Sequence, residues 1–268
     1  MRIALIADSH VSARSPECVR NWNAAAAALP SLEVGLTVHL GDITLDGERH
    51  PEEIDFAADL IGRWPTPLRC VPGNHDIGTG SGEAPLSIDR LSHYEAALGA
   101  DRWLVREGTW ALFGVDAQLF GTGSPAEAAQ WAWLEHEASA LGEHDLAALF
   151  LHRPLVRAAG DRWMPQGRYV NEAAARRLLE GPLRRALRLV VSGHTHQALE
   201  FVADGVRHVW VPSSGFVIED HLQQPVGDKV VGLGLLELGA GWLHYERPIL
   251  PGLKRHELTA LECFAEPA

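Results

Sequence analysis

Five apolar runs in this 268-residue chain end in the same kind of side chain, an oxygen or imidazole donor able to hold a metal ion. Ile3–Ala7 runs into Asp8-Ser9-His10, and Val34–Leu40 into Gly41-Asp42. Leu68–Val71 is stopped by Pro72-Gly73 and followed by Asn74-His75-Asp76. Leu146–Leu151 gives way to His152-Arg153-Pro154, and Leu187–Val191 to Ser192-Gly193-His194-Thr195-His196. Taken singly, each tail also reads as a polar turn, a cap or a hydrogen-bonded core histidine. Five tails with one syntax need a common cause. Strand ends in α/β proteins are where rigid scaffold meets solvent, so reactive groups there are both fixed and reachable.

The donor set selects the chemistry. Asp8, His10, Asp42, Asn74, His152, His194 and His196 supply carboxylate, carboxamide and imidazole but no thiolate. That mix suits Mn, Fe or Zn rather than Mg or Ca alone. Seven side chains are too many for one ion with an open catalytic position, and about right for two ions sharing a carboxylate. Asp42 is the natural bridge, since it stands alone at its strand end behind a glycine that lets backbone crowd the metals. In Asp8-Ser9-His10 and His194-Thr195-His196 the donors are two apart, a spacing that extended backbone turns to one face.

The intervening segments must position these tails. Helices are expected over Pro16–Leu29, ended by Pro30, and over Pro51–Arg63, Ser87–Leu98, Ser124–Leu141 and Asn171–Leu179. Trp110–Val115 adds a strand. After His196 the helical texture gives way to short strands, Ala198–Val202, Val206–Val211, Val230–Leu238 and Gly241–Arg247, read as an antiparallel meander. Two sheets packed face to face with helices outside accommodate both textures in one domain over residues 1–250, with 251–268 as a surface tail. The loops Gly78–Gly82 and Leu155–Gly167 read as the places where selectivity lives, with Trp163 and Arg153 as candidate substrate contacts.

Composition narrows the partners. The net charge of −12, with Lys229 and Lys254 the only lysines, disfavours nucleic-acid backbones and anionic lipid surfaces. A small anionic substrate remains open where metal ions or an arginine reverse the field locally. Cys18, Cys70 and Cys263 are odd in number and widely spaced, which fits a reducing, cytoplasmic setting. The N-terminal apolar run is too short for a secretory signal, and no run is long enough to span a membrane.

In this order, Asp8-x-His10, Gly41-Asp42, Gly73-Asn74-His75-Asp76, His152 and Gly193-His194-Thr195-His196 resemble the calcineurin-like metallophosphoesterase superfamily over roughly residues 2–215. Size and motif style are most similar to its bacterial class III cyclic-nucleotide phosphodiesterases and glycerophosphodiesterases. The resemblance implies an α/β, four-layer αββα sandwich of two mixed sheets. It implies one ion on Asp8, His10, Asp42 and His196, a second on Asp42, Asn74, His152 and His194, and His75 free to act near the leaving oxygen. Such a pair of ions activates water to hydroxide for in-line attack on phosphorus. The expected activity is hydrolysis of a small phosphodiester, with phosphomonoesterase as the alternative in class and a silent binding module beyond it; a homo-oligomer is compatible. Relatives often carry a carboxylate three residues after the bridging Asp. Here that position is Leu45, which leaves Asp46, Asp76 or the Thr44 hydroxyl as partners for His75.

Overall fold

The structure, a computed structural model, describes residues 1–79, 86–162 and 167–264. Its strands are β1 (Arg2–Ile6), β2 (Leu36–His39), β3 (Leu68–Cys70), β4 (Trp103–Glu107), β5 (Trp110–Gly114), β6 (Leu146–Leu151), β7 (Leu187–Ser192), β8 (Leu199–Ala203), β9 (Val206–Trp210), β10 (Gly234–Gly239) and β11 (Trp242–Glu246). Its helices are α1 (Pro16–Leu32), α2 (Glu52–Ile61), the four-residue α3 (Asn74–Ile77), α4 (Ile88–Leu98), α5 (Pro125–Ser139) and α6 (Glu172–Glu180). One sheet has the order β11-β10-β1-β2-β3, the other β4-β5-β6-β7-β9-β8.

Period-two alternation makes the layers. On β1, Ile3 and Leu5 join Val38, Leu112, Phe150, Leu189 and Val209 in a core between the two sheets. Ala4 and Ile6, one step away, face Trp22, Ala25, Ile54 and Tyr94 on α1, α2 and α4. The outer face of the second sheet carries Phe113, Leu149 and Val190 against Trp131, Leu134, Ala174 and Leu178 of α5 and α6. Helix, sheet, sheet and helix therefore stack as four layers.

Several details differ from the pattern read in the sequence. Helix α1 passes through Pro30 to Leu32, because the missing N–H falls in the last turn, and Glu33 with φ 52 ends it. The late strands are not one meander. The β8–β9 hairpin joins the second sheet with β9 parallel to β7, while β10–β11 joins the first antiparallel to β1. Strand β4 has no clear apolar alternation, since it is half-exposed at a sheet edge and ends in Arg106-Glu107. Beyond residue 251, the Lys254 main chain exchanges hydrogen bonds with the Asn21 side chain, and Leu261 is buried against Cys18 and Phe216.

Strands β1, β2 and β3 run parallel, as do β6 and β7. All five metal-donor tails therefore leave the sheets at carboxyl ends. The two sheet rims are tied together there. His194 N donates to the Asp8 carboxylate at 2.9 and 3.0 Å, and His152 Nδ1 donates to Leu40 O at 2.8 Å.

Candidate metal centre

Seven non-glycine residues among those described have positive φ, and five of them are Asp8, His10, Asp42, His194 and His196. Asp and His tolerate the left-handed region better than most side chains, yet each such position costs roughly 1 kcal/mol. The strain gathers where donors must be aimed. It also corrects the expectation from spacing: the pairs Asp8/His10 and His194/His196 converge through left-handed backbone rather than an extended pleat.

Close backbone approach at the rim requires glycine. A Cβ on Gly73 would stand 2.1 Å from both N and Oδ1 of Asp42. One on Gly41, at φ +89, would stand 2.7 Å from Gly73 N and 2.8 Å from His152 Nδ1. The loops after β2 and β3 thus lie backbone to backbone, which brings Asp42 beside Asn74.

The seven donors form two overlapping groups. His10 Nε2 lies 3.2 Å from His196 Nε2, and His196 Nε2 lies 3.7 Å from Asp8 Oδ1. His152 Nε2 lies 3.2 Å from Asn74 Oδ1, 3.2 Å from Asp42 Oδ2 and 2.9 Å from His194 Nδ1. Asp42 Oδ2 is also 4.0 Å from His10 Nε2, so this one oxygen borders both groups. Two ligands about 2.1 Å from one ion at 90–110° stand about 3.0–3.4 Å apart, which is the spacing of most of these pairs.

Hydrogen bonds on the far side of the rings fix which nitrogen faces inward. His152 donates Nδ1–H to Leu40 O, and His196 donates Nδ1–H to Phe216 O at 2.9 Å. Their Nε2 atoms then present lone pairs to other acceptors. Acceptors facing acceptors in a buried site demand a cation, and the donor set fits one. Without one, a proton takes the place: burial would lower His152, but Asp42 and Asp8 lift it to about 9. Burial keeps its neighbours neutral, lowering His196 to about 4 and pulling His10 and His194 well below the usual imidazole range. Burial works against the Asp42 carboxylate, yet the His152 and His75 charges hold it far below its ordinary value.

His75 sits at the edge of the first group, its ring edge-on to His10 with centroids 4.9 Å apart. Its partner is neither Asp46, Asp76 nor the Thr44 hydroxyl: Nδ1 donates to the main-chain carbonyl of Leu45 at 2.8 Å. Asp76 is instead a brace. Its carboxylate accepts from Thr44 N and Thr44 Oγ1 at 2.9 Å, Ile43 N at 3.3 Å and Gly73 N at 2.8 Å. The His75 N–H donates to Asp42 Oδ1 at 2.9 Å, which leaves Oδ2 to face the donors.

Arg153, beside His152, acts electrostatically on His194, and no ion-pair partner lies within reach of it among the described residues. Trp163 lies outside the described residues, as do parts of both loops assigned to selectivity. His39 is a core histidine, with Nε2 2.8 Å from Ser9 Oγ. Two contributors carry no signal of the kind read above. Phe216 orients His196 through its carbonyl and packs its ring 4.9 Å from His10 and 4.7 Å from His196. Leu45 serves through backbone alone. The segment Pro212-Ser213-Ser214-Gly215-Phe216 does follow an apolar strand with turn chemistry, but it offers no ligand side chain.

A sandwich of two mixed sheets whose parallel strand ends gather imidazole, carboxylate and carboxamide into buried groups able to hold metal ions has the make-up of a metallohydrolase. The chain belongs to the calcineurin-like phosphoesterase family, whose profile matches residues 1–198. It is 26% identical over 171 residues to glycerophosphodiester phosphodiesterase GpdQ of Enterobacter lignolyticus, an alignment covering 58% of this chain and 58% of that relative. Among solved structures it resembles purple acid phosphatase PPD1 of yellow lupin (TM-score 0.64, 14% identity, 92% of this chain and 51% of that one). It also resembles a dimetal phosphatase of Danio rerio (TM-score 0.61, 14% identity, 92% and 95%). Among the described residues no helix is long and apolar enough to cross a membrane.

Proposed function

We propose that this chain hydrolyses small phosphodiesters. Asp8, His10, Asp42 and His196 hold one metal ion, and Asp42, Asn74, His152 and His194 the other. The observation that carries the reading is the ring of inward-facing acceptors, with Asp42 Oδ2 3.2 Å from His152 Nε2 and 4.0 Å from His10 Nε2. Two bound transition-metal ions, Mn, Fe or Zn, supply Lewis acidity there, lowering the pKa of water and neutralising charge on phosphoryl oxygens.

The chain's own groups supply the rest. His75, held through Nδ1 by Leu45, keeps Nε2 for the leaving oxygen and protonates it as the P–O bond breaks. Arg153 offers a planar fork of N–H donors to a phosphoryl oxygen. Two features favour a diester over a monoester. The relative GpdQ is named for glycerophosphodiesters. Asp46 stands on the His75 side, where a dianionic monoester would be repelled more than a monoanionic diester. The free state of Cys18, Cys70 and Cys263 fits work in the cytoplasm.

Purified protein stripped by chelator and reloaded with Mn²⁺ is assayed on bis(p-nitrophenyl) phosphate and on p-nitrophenyl phosphate. The expected result is metal-dependent cleavage favouring the diester. A clear monoester preference overturns the diesterase reading, and metal-loaded protein inert on both substrates overturns the enzyme.

A further inference from the structure

We propose that the C-terminal segment from Leu253 to Phe264 is part of the metal centre. Leu261 and Phe264 are positioning residues that hold Phe216 against His10 and His196, and so set the affinity of the first ion. The inference rests on the assignment of that ion to Asp8, His10, Asp42 and His196, and it reaches residues beyond 1–198, the stretch the family profile matches. His10 and His196 sit at φ 46 and 51. Strained backbone of this kind persists only where the surrounding packing holds it. Phe216 supplies that packing. Its ring lies 4.9 Å from the His10 ring and 4.7 Å from the His196 ring, and its carbonyl accepts His196 Nδ1–H at 2.9 Å.

Phe216 in turn leans on the C-terminal segment. Phe264 meets it edge-on, with centroids 5.3 Å apart and planes at 67°, a favoured aromatic arrangement. Leu261 shares a buried cluster with Phe216 and with Cys18 of α1. The main chain is tied down on the near side of this contact. Val217 N donates to His256 O at 2.9 Å, and Leu258 N to Val217 O at 3.0 Å. Glu219 Oε1 accepts from Thr259 N at 3.1 Å. Asn21 Nδ2 donates to Lys254 O at 2.8 Å and to Gly215 O at 3.1 Å, so one α1 side chain joins the segment to the loop that carries Phe216. Under this cover Phe216 is 2% exposed.

The rings of the second group have other supports. His152 is held by Leu40 O, and His194 packs edge-on to His152 with centroids 4.7 Å apart. Among the described residues, none of the hydrogen bonds or ring contacts of His152 and His194 comes from residues 253–264. Loss of the Phe264 ring leaves a gap behind Phe216 and frees that ring to turn from His10 and His196. The cost falls on the first ion. Removing the outer support of a metal-bound imidazole costs about 10–100-fold in metal affinity.

Chelator-stripped protein is titrated with Co²⁺ and followed by visible absorbance and calorimetry, with circular dichroism as the fold control. Wild type is expected to bind two ions per chain. Phe264→Ala is then placed in two backgrounds that each lack a ligand of one ion: Asn74→Ala, which keeps the first ion, and His196→Ala, which keeps the second. In the Asn74→Ala background Phe264→Ala is expected to weaken the remaining ion by about tenfold or more. In the His196→Ala background the remaining ion is expected to stay within about threefold. A merely structural loss loosens both ions alike, so equal weakening in the two backgrounds overturns the proposal, as does no weakening in either. Should Phe264→Ala fail to fold, Phe264→Val decides by the same comparison. Wild type that binds fewer than two Co²⁺ ions per chain overturns the underlying metal assignment instead.

Discussion

The Nδ1–H of His75 donates to the carbonyl of Leu45 at 2.8 Å, three residues after Asp42. A main-chain dipole thus does the orienting at a position where a carboxylate side chain was the alternative. The ring is held without an added charge beside an already acidic rim. Removing it should cost catalysis and spare the metals. For His75→Ala, kcat on an alkyl diester is expected to fall about 10²–10⁴-fold, with much less loss on p-nitrophenyl esters, whose leaving group needs no proton. Metal content by atomic emission should match wild type. Equal losses on both ester types would show that His75 does not protonate the leaving oxygen.

Asp76 binds the loop after β2 to the loop after β3 through four accepted hydrogen bonds, so it sets the distance between Asp42 and Asn74. Asp76→Asn keeps the shape but turns an NH₂ toward N–H donors. Stability is expected to drop by about 2–4 kcal/mol in urea unfolding, and metal affinity to fall with it. A variant with wild-type stability and metal binding would mean the brace is dispensable.

Gly73→Ala probes the same contact from the backbone side. The added Cβ would stand 2.1 Å from Asp42 N and Oδ1, and backbone must move to admit it. The expected result is folded protein that binds fewer than two metal ions per chain and loses metal-stimulated hydrolysis. Full metal occupancy in the alanine variant would show that the two loops can separate without harm.

Much of this centre was legible because donors followed apolar runs. Asp8, Asp42 and His152 each sit just past a strand whose inward residues are buried, and period-two burial fixes where such a strand ends. What escaped was carried by backbone. Leu45 and Leu40 contribute carbonyls, which leave no mark on residue type. The left-handed φ of Asp8 and His194 was equally hidden, because spacing two apart suggests a pleat until tertiary contacts override it. The antiparallel β8–β9 hairpin follows from local turn signals, but its attachment to the second sheet, with β9 parallel to β7 and apart from β10–β11, is decided by long-range packing. Pro30 was read as a stop, but a proline in a last turn removes only one hydrogen bond.

Glu48 makes the acidic rim visible to calorimetry. Burial, then Asp46, raises its pKa from 4.5 to about 8, so the folded state keeps a proton that the unfolded chain has released. Its contribution is therefore most favourable below about pH 4.5 and is lost as pH rises toward about 8. Glu48→Gln removes that slope. In chelator, where metals cannot intervene, the variant is expected to gain on wild type as pH climbs, reaching about 1 kcal/mol near pH 8 once solvent screening at this rim is allowed for. For a chain of this length that is a rise of about 2–4 °C in melting temperature. Parallel melting curves for the two proteins from pH 5 to pH 8 would mean that Glu48 ionises freely in the folded state. A gain in the variant would identify Glu48 as a residue whose charge costs stability in the folded chain.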